Sequence, residues 1–207
     1  MFLSRLRLNL SSAAARRDLA EPYEMHRTLA RVYAPDDATP PPRFLWRLEP
    51  RVHADGVPTL LVQAGTPGRW SALDGLDGYL HSIDADKRVD LQQLVQPARR
   101  YRFRLLANAT VTRDGKRLGL RSPEALQAWI GRQGARHGFE LLALGCHSQP
   151  RMRTARGRGA QAVVIDPALF DGVLRANDAD ALRSAVRAGL GHGKAFGMGL
   201  LSLAPLR

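Results

Sequence analysis

The chain has 207 residues, 44% of them hydrophobic, which is enough for a packed core and excludes a disordered chain. Its 31 Lys and Arg residues against 19 Asp and Glu residues give a net charge of +12, which favours a polyanionic partner. No apolar run approaches the ~20 residues of a membrane span, and residues 1–10 lack the continuous apolar segment of a signal peptide. The single Cys146 cannot form an internal disulfide, so we expect a cytoplasmic protein.

The basic residues are almost all arginines, since Lys87, Lys116 and Lys194 are the only lysines. The planar guanidinium group suits phosphate groups and guanine edges better than the point charge of lysine. A GC-rich genome also favours arginine over lysine, but it explains the ratio and not the net positive excess. The charge therefore indicates a nucleic acid as partner.

The first part of the chain predicts a β-α-β-β-α-β order of elements. Residues 2–9 alternate apolar and polar side chains, as a half-buried strand does. Pro22 ends a helix that begins near Ala13 and opens a second one. Ser11 and Ser12 are the candidate N-caps of the first helix. The other predicted elements are that second helix (Pro22–Tyr33), strands at Arg43–Glu49 and Pro58–Ala64, a helical turn near Trp70–Leu73 and a weak strand near Tyr79–Ile83.

A charged stretch without clear periodicity, residues 85–97, follows and is interpreted as a linker. It separates a predicted N-terminal domain (1–84) from a C-terminal domain (98–207). In the second domain we predict a strand at Arg100–Asn108, a hairpin turn at Asp114-Gly115, a helix from the N-cap Ser122 to His137, strands at Phe139–Cys146 and Ala162–Ile165, a helix capped by Asn177 or Asp178 and ending at Ala188, and a strand at Leu200–Leu203. The repeated order predicts an α+β fold of two tandem ferredoxin-like (RRM-like) βαββαβ domains.

A glycine-rich segment, Gly189–Gly199, precedes the last strand and contains five glycines around Lys194. Successive backbone N–H groups of such a loop form a concave anion site, and the lysine adds a positive charge suited to phosphate. The spacing is not that of a P-loop, because Ala195 follows the Gly-Lys pair and a strand follows the loop. A turn that only lets the last strand pack closely explains the glycines equally well. The candidate RNA contacts here are Gly191, His192 and Gly193.

Three side chains of the second predicted helix could cleave a phosphodiester. Tyr23 and His26 stand three residues apart and share a helix face, which Arg27 joins. Histidine can give or take a proton near neutral pH, tyrosine can orient a hydroxyl or donate a proton, and arginine can stabilise charge on the phosphate. An amphipathic helix with an exposed histidine is the structural alternative.

Arginine clusters supply further candidate contacts with RNA. If residues 151–156 are strand-like, alternate side chains form a basic ribbon that enters the groove of an RNA stem or follows its phosphates. A solvated loop is the alternative. The candidates are Arg151, Arg153, Arg156 and Arg158, with Arg16 and Arg17, and individually weaker ones at Arg99, Arg100, Arg102 and Arg104. No pairs of Cys or His stand at the spacing of zinc ligands, so we predict neither a metal nor a cofactor.

Several segments together make the chain resemble the CasE family, the CRISPR-repeat endoribonucleases of the type I-E Cascade complex. The match runs from end to end in the right order, and the glycine-rich segment with its Leu-Leu-Ser-Leu-Ala-Pro tail is specific to the family. The matching segments are Met1–Leu6, Arg16–Leu19, Pro22–Arg27, Phe44–Glu49, Tyr101–Asn108 and Gly189–Pro205.

The resemblance implies metal-independent cleavage of precursor CRISPR RNA at the base of each repeat hairpin. A 2′-hydroxyl attacks the phosphate and leaves a 2′,3′-cyclic (or 2′-) phosphate and a 5′-hydroxyl, and the guide RNA is then retained in Cascade. By this resemblance His26 matches the active-site histidine, Tyr23 a catalytic tyrosine of some members, and Lys194 the loop near the RNA. Residues 151–158 match a basic hairpin that grips the stem, in charge and position only. Other Cascade subunits are the implied protein partners, and no membrane is involved.

Two alternatives share the fold and the charge. A pure RNA-binding module is disfavoured because aromatic residues are only 6% of the chain and no pattern typical of base-stacking sheets appears. A non-catalytic RNA-hairpin-binding subunit of the complex is disfavoured by the presence of both Tyr23 and His26.

Overall fold

The computed structural model describes residues 1–34, 36, 38–49, 56–154 and 163–206. The chain divides into two units. The first is built mainly from Met1–Val89 and also includes Ala195–Gly197, while the second is built from most of the remaining residues.

The first unit contains a four-stranded antiparallel sheet with the order β2-β3-β1-β4. This order is the ferredoxin-like one that the sequence predicted. The elements are β1 (Phe2–Leu8), α1 (Ala13–Ala20), α2 (Pro22–Tyr33), β2 (Phe44–Leu48), β3 (Thr59–Ala64), a 3₁₀ turn (Trp70–Leu73) and β4 (Leu80–Arg88). The last strand therefore continues beyond its predicted end and into the predicted linker.

Helix α2 lies where its sequence predicted it. Pro22 stands at the start of the helix, where its missing N–H costs nothing. Met25, Leu29 and Val32 recur at helical spacing and are buried in the core of the first unit. Because that stripe faces the sheet, the residues on either side of it lie at the edge of the buried face.

The second unit repeats the order, with a four-stranded antiparallel sheet arranged as β12-β5-β11-β8. Two small two-stranded ribbons, β6–β7 and β9–β10, are added to it. The elements are α3 (Leu91–Leu94), β5 (Arg100–Asn108), β6 (Thr110–Arg113), β7 (Lys116–Gly119), α4 (Pro123–His137), β8 (Phe139–Ser148), β9 (Met152–Thr154), β10 (Val163–Ile165), β11 (Pro167–Ala176), α5 (Ala179–Ala188) and β12 (Leu201–Pro205). A 3₁₀ turn (Lys194–Phe196) between α5 and β12 has its last two residues in the first unit.

One strand of the second sheet was missed in the sequence. The predicted strand at Ala162–Ile165 is present as β10, but among the described residues it pairs with β9 in a two-stranded ribbon. The sheet instead uses β11, which lies between β5 and β8. Asp171 and Gly172 interrupt the apolar pattern of β11 and hid it. Glycine is required there, since a Cβ atom at position 172 would lie 2.1 Å from the carbonyl oxygen of Ala143 on β8.

The predicted caps of α4 and α5 are confirmed, and that of α1 is corrected. Ser122 accepts a hydrogen bond from the Ala125 N–H at 3.3 Å, and Asp178 caps α5 in the same way. Ser12 does occupy the N-cap position of α1, but its hydroxyl donates to the carbonyl oxygen of Asp77 at 2.8 Å. The side chain is therefore used to hold a distant loop.

Part of the predicted linker is packed on the second unit. Arg183 on α5 is buried, and its guanidinium donates to the carbonyl oxygens of Val95 and Leu91. Tyr101 donates to the carbonyl oxygen of Leu94 at 2.9 Å. These bonds satisfy carbonyl groups at the end of α3, so α3 is fixed against α5 and β5.

Two glycines of α4 should respond in opposite directions to the same substitution. Gly138 ends the helix with φ 72°, and a Cβ atom there would lie 2.5 Å from the carbonyl oxygen of Asp178, so Gly138→Ala should lower the free energy of unfolding by about 2 kcal/mol or more. Gly131 lies inside the helix with nothing within 4 Å of such an atom, so Gly131→Ala should raise it by about 0.5–1 kcal/mol. Urea denaturation followed by circular dichroism measures both, and equal effects would contradict this account of the helix end.

Candidate functional site

The candidate site in the first unit lies on helix α2, outside its buried stripe. Tyr23 and His26 are both half-buried, and their ring centroids lie 6.3 Å apart. The structure therefore brings together the two residues that the sequence paired by spacing. Each ring also contacts an aromatic ring from another part of the first unit.

The His26 ring packs against an aromatic ring of the sheet. The imidazole stacks on Phe44 of β2 with centroids 4.9 Å apart and an interplanar angle of 18°. Phe44 in turn stacks on Tyr33, at 5.2 Å. Burial, and then the Asp86 carboxylate, raise the pKa of Tyr33 well above its ordinary value, so this phenol stays neutral and supports the stack. Stacking fixes the plane of the imidazole.

The Tyr23 ring packs against a residue of the glycine-rich segment. Phe196 is buried and lies 6.2 Å from the Tyr23 ring, between centroids. The next residue, Gly197, has φ 78°, and a Cβ atom there would lie 2.7 Å from the Trp46 ring. The glycine at this position therefore allows the backbone to approach Trp46 and seats Phe196 against Tyr23.

The arginines of α1 and α2 are largely committed to neighbours within the unit. Arg27 is exposed and bonds both carboxylate oxygens of Glu24, at 3.0 and 3.2 Å. Arg16 donates from one nitrogen to two carbonyl oxygens at the start of α1. Arg17 donates twice to Asp18, at 2.8 and 2.6 Å, yet its side chain is 49% exposed. Each keeps further N–H groups that can reach a phosphate.

A buried carboxylate orients Arg17. The Asp18 side chain is fully buried, and it accepts a hydrogen bond from the Tyr79 hydroxyl at 2.8 Å besides those from Arg17. Arg17 also reaches Thr28 on α2, at 3.4 Å. The network joins α1, α2 and the start of β4, and it fixes the direction of one candidate phosphate ligand.

In the second unit, the glycine-rich segment forms a tight loop. Gly191 and Gly193 have φ 74° and 89°, a conformation that favours glycine. Lys194 donates to the Gly191 carbonyl oxygen at 2.7 Å, which holds the ammonium group over the loop. Burial, and then the charges of Arg117 and Lys194, lower the pKa of His192, so its imidazole is neutral near pH 7. His192 can therefore offer RNA a neutral hydrogen-bonding group and no added charge.

The basic ribbon predicted around residues 151–158 is strand-like where the structure describes it. Strand Met152–Thr154 pairs with strand Val163–Ile165, and Arg153 in the first of these strands is exposed. Arg151 is held by Asp166, at 2.8 and 3.3 Å. Arg156 and Arg158 lie outside the described residues.

Sequence reasoning missed the residues that support these side chains. Phe44 and Phe196 were visible only as apolar residues of predicted strands and turns, and Asp18, Tyr79 and Asp166 had no visible partner. Each of them acts on a residue distant in the chain, so spacing carries no signal of the contact. Within the described ranges no three His, Cys, Asp or Glu side chains are grouped as metal ligands would be. Of the helices in those ranges, none has the length and apolarity that a membrane span requires.

The fold and the site together define a class of protein. Two ferredoxin-like units, a net positive charge of +12 and a half-buried tyrosine–histidine pair on a helix are typical of an RNA-processing protein. A family model described as "CRISPR associated protein" matches residues 1–205, and the chain belongs to that family. The resemblance seen in the sequence is confirmed.

The chain is similar to named members along its whole length. It is 36% identical to the CRISPR-associated endoribonuclease Cse3 of Thermus thermophilus, over 99% of this chain and all of the relative. It is 29% identical to the CRISPR system Cascade subunit CasE of Escherichia coli, over the full length of both. A solved structure of Thermus thermophilus Cse3 bound to an RNA representing a pre-cleavage complex is 37% identical, with a TM-score of 0.85, and the match covers 99% of this chain and 98% of that one.

The Asp18 network makes a prediction about stability. Tyr79→Phe removes one donor from a fully buried carboxylate, so it should lower the free energy of unfolding by about 1–3 kcal/mol. Tyr23→Phe is the matched control, since it removes the same hydroxyl from a half-exposed ring and should change stability by less than about 0.5 kcal/mol. Denaturation by urea measures both free energies of unfolding. A loss for Tyr79→Phe no larger than that for Tyr23→Phe would contradict a stabilising role of the hydrogen bond to Asp18.

Proposed function

We propose that this chain is a metal-independent endoribonuclease that cleaves precursor CRISPR RNA at the base of the repeat hairpin. The observation that carries the proposal is the Tyr23–His26 pair, held between Phe196 and Phe44. The full-length similarity to Cse3, an endoribonuclease, supports the choice of substrate.

In the proposed reaction the 2′-hydroxyl of the nucleotide upstream of the cut is the nucleophile. A base takes its proton as the bond from O2′ to phosphorus forms, and an acid gives a proton to O5′ as the bond from phosphorus to O5′ breaks. The products are a 2′,3′-cyclic (or 2′-) phosphate and a 5′-hydroxyl. One proton is removed and one is supplied, so two protein groups complete the reaction without a metal or a cofactor. His26 and Tyr23 are those two groups, with the acid and base roles unassigned between them.

The proposed reaction also needs positive charge. Negative charge builds on the non-bridging oxygens of the phosphate as the nucleophile attacks, and nearby cations stabilise it. We assign this role to Arg27 and Lys194. Arg27 shares its guanidinium with Glu24, which leaves its other N–H groups for the phosphate.

The RNA would be held by arginines and by the glycine loop. Phosphate contacts fix the position of an RNA stem, and they dominate its affinity. The proposed contacts are Arg16, Arg17, Arg151, Arg153, Arg156, Arg158, Gly191, His192 and Gly193. The reaction is proposed to take place in the cytoplasm. The product is proposed to stay bound as the guide RNA of a Cascade complex, and the similarity to a Cascade subunit supports this.

Removal of the imidazole should separate cleavage from binding. His26→Ala should slow single-turnover cleavage of a labelled repeat hairpin by about 10²–10⁴-fold, because proton transfer is lost, while the affinity for that RNA stays near that of the wild type. Tyr23→Phe should slow cleavage less. His81→Ala, at an exposed histidine of β4, is the matched control and should leave both quantities unchanged.

The outcomes assign the function. Parallel loss of binding and cleavage in His26→Ala would overturn the catalytic role of this residue. A wild type that binds the hairpin but does not cleave it would make the chain a non-catalytic RNA-hairpin-binding subunit.

A further inference from the structure

Two arginines of the second unit converge on one carboxylate, that of Asp166. Asp166 is 8% exposed and lies between β10 and β11. Its Oδ1 atom accepts from Arg121 Nη1 at 2.7 Å and from Arg151 Nε at 2.8 Å, and its Oδ2 atom accepts from Arg151 Nη2 at 3.3 Å. A buried carboxylate with three charge-assisted hydrogen bonds is a strong fixed point.

The donors come from two different ribbons. Arg121 follows β7, the second strand of the β6–β7 hairpin, and Arg151 precedes β9, the first strand of the β9–β10 ribbon. Gly119 at the end of β7 also fits closely against Asp166, since a Cβ atom there would lie 2.5 Å from Asp166 Oδ2. Asp166 thus fixes the base of both ribbons to the start of β11, a central strand of the second sheet.

The electrostatics of the cluster require the carboxylate. Two guanidinium groups bonded to one oxygen atom would repel each other without it. The hydrogen bond from Arg151, together with that from Arg121, lowers the pKa of Asp166 in spite of its burial. The carboxylate therefore remains ionised at neutral pH, and both arginines stay in place.

The arrangement also fixes a residue that is free to meet RNA. Arg153 lies in β9, two residues after Arg151, so a contact that fixes Arg151 also limits the orientation of Arg153. Both side chains are exposed, but Arg151 is bound to Asp166 and so links the start of β9 to the start of β11, which leaves Arg153 to meet the RNA. A rigid ribbon loses less conformational entropy when an RNA stem binds.

We propose that Asp166 is a positioning residue for RNA binding: by pairing with Arg121 and Arg151 it holds the β9–β10 ribbon in the orientation that presents Arg153 to the RNA. This inference rests on the proposed function, because it takes a hairpin RNA as the ligand. A negatively charged residue would thereby strengthen the binding of a polyanion, whereas its charge alone would weaken that binding.

The sign of the effect separates positioning from charge. Asp166→Asn adds one positive unit to the protein, so charge alone predicts tighter RNA binding. Loss of the pairing between Asp166 and its two arginines predicts weaker RNA binding. Asp114→Asn is the matched control, because it makes the same change of charge at an exposed hairpin turn where asparagine tolerates the positive φ of 48°.

The experiment measures the dissociation constant for the labelled repeat hairpin at one fixed salt concentration, with a urea melt of each variant. We expect Asp166→Asn to bind about tenfold more weakly than the wild type, and Asp114→Asn to bind equally or slightly more tightly. The single-turnover cleavage rate at saturating RNA should stay within about twofold of the wild type for Asp166→Asn, since the ribbon acts on binding and not on the reacting atoms. Equal or tighter binding by folded Asp166→Asn would overturn the inference.

A second variant keeps the test decisive if Asp166→Asn does not fold. Arg121→Gln removes one of the two arginines that fix the Asp166 carboxylate, so Asp166 should hold Arg151 less firmly. Arg132→Gln on the exposed face of α4 makes the same change of charge elsewhere. Arg121→Gln should weaken binding more than Arg132→Gln, and equal losses would overturn the inference. A wild type that fails to bind the hairpin would overturn the proposed function instead, so the two failures are distinguishable.

Discussion

The burial of Met25, Leu29 and Val32 against the first sheet fixes where every polar residue of α2 lies. A helix turns by about 100° per residue, so once this stripe faces the core, His26 lies at its edge and Tyr23, three residues earlier, lies about 60° further round the helix. Their rings then meet Phe196 and Phe44, which limit how they turn. The proposed proton transfers depend on this packing, because an acid and a base act only when they are held at the reacting atoms.

Positive charge is organised by a few buried or half-buried carboxylates. Asp18 orients Arg17 in the first unit, and Asp166 holds Arg121 and Arg151 in the second. An arginine that is free to rotate loses side-chain entropy when it binds a phosphate, whereas a held one has already lost it. A protein with a net charge of +12 therefore uses some of its acidic residues to set the direction of its basic ones.

Much of the fold was predictable because the signals were local. Pro22 and Ser122 mark helix starts, and Asp114-Gly115 marks a hairpin, each through its own backbone preference. The strand β11 was not predictable in the same way, since Asp171 and Gly172 break its pattern and only the close contact with Ala143 explains the glycine. Similarly, the Tyr23–His26 pair followed from helix spacing, but no spacing links His26 to Phe44 or Asp166 to Arg121. These contacts join residues that are far apart in the chain.

The central claim is that two protein side chains and an internal 2′-hydroxyl suffice for cleavage. A gel assay in EDTA tests it most directly, with a labelled repeat hairpin beside a copy that carries deoxyribose at the nucleotide upstream of the cut. The account predicts that the all-ribose RNA is cleaved, that it leaves a 2′,3′-cyclic (or 2′-) phosphate, and that the deoxy copy binds but stays intact. Cleavage of both RNAs, or cleavage that EDTA abolishes, would contradict it.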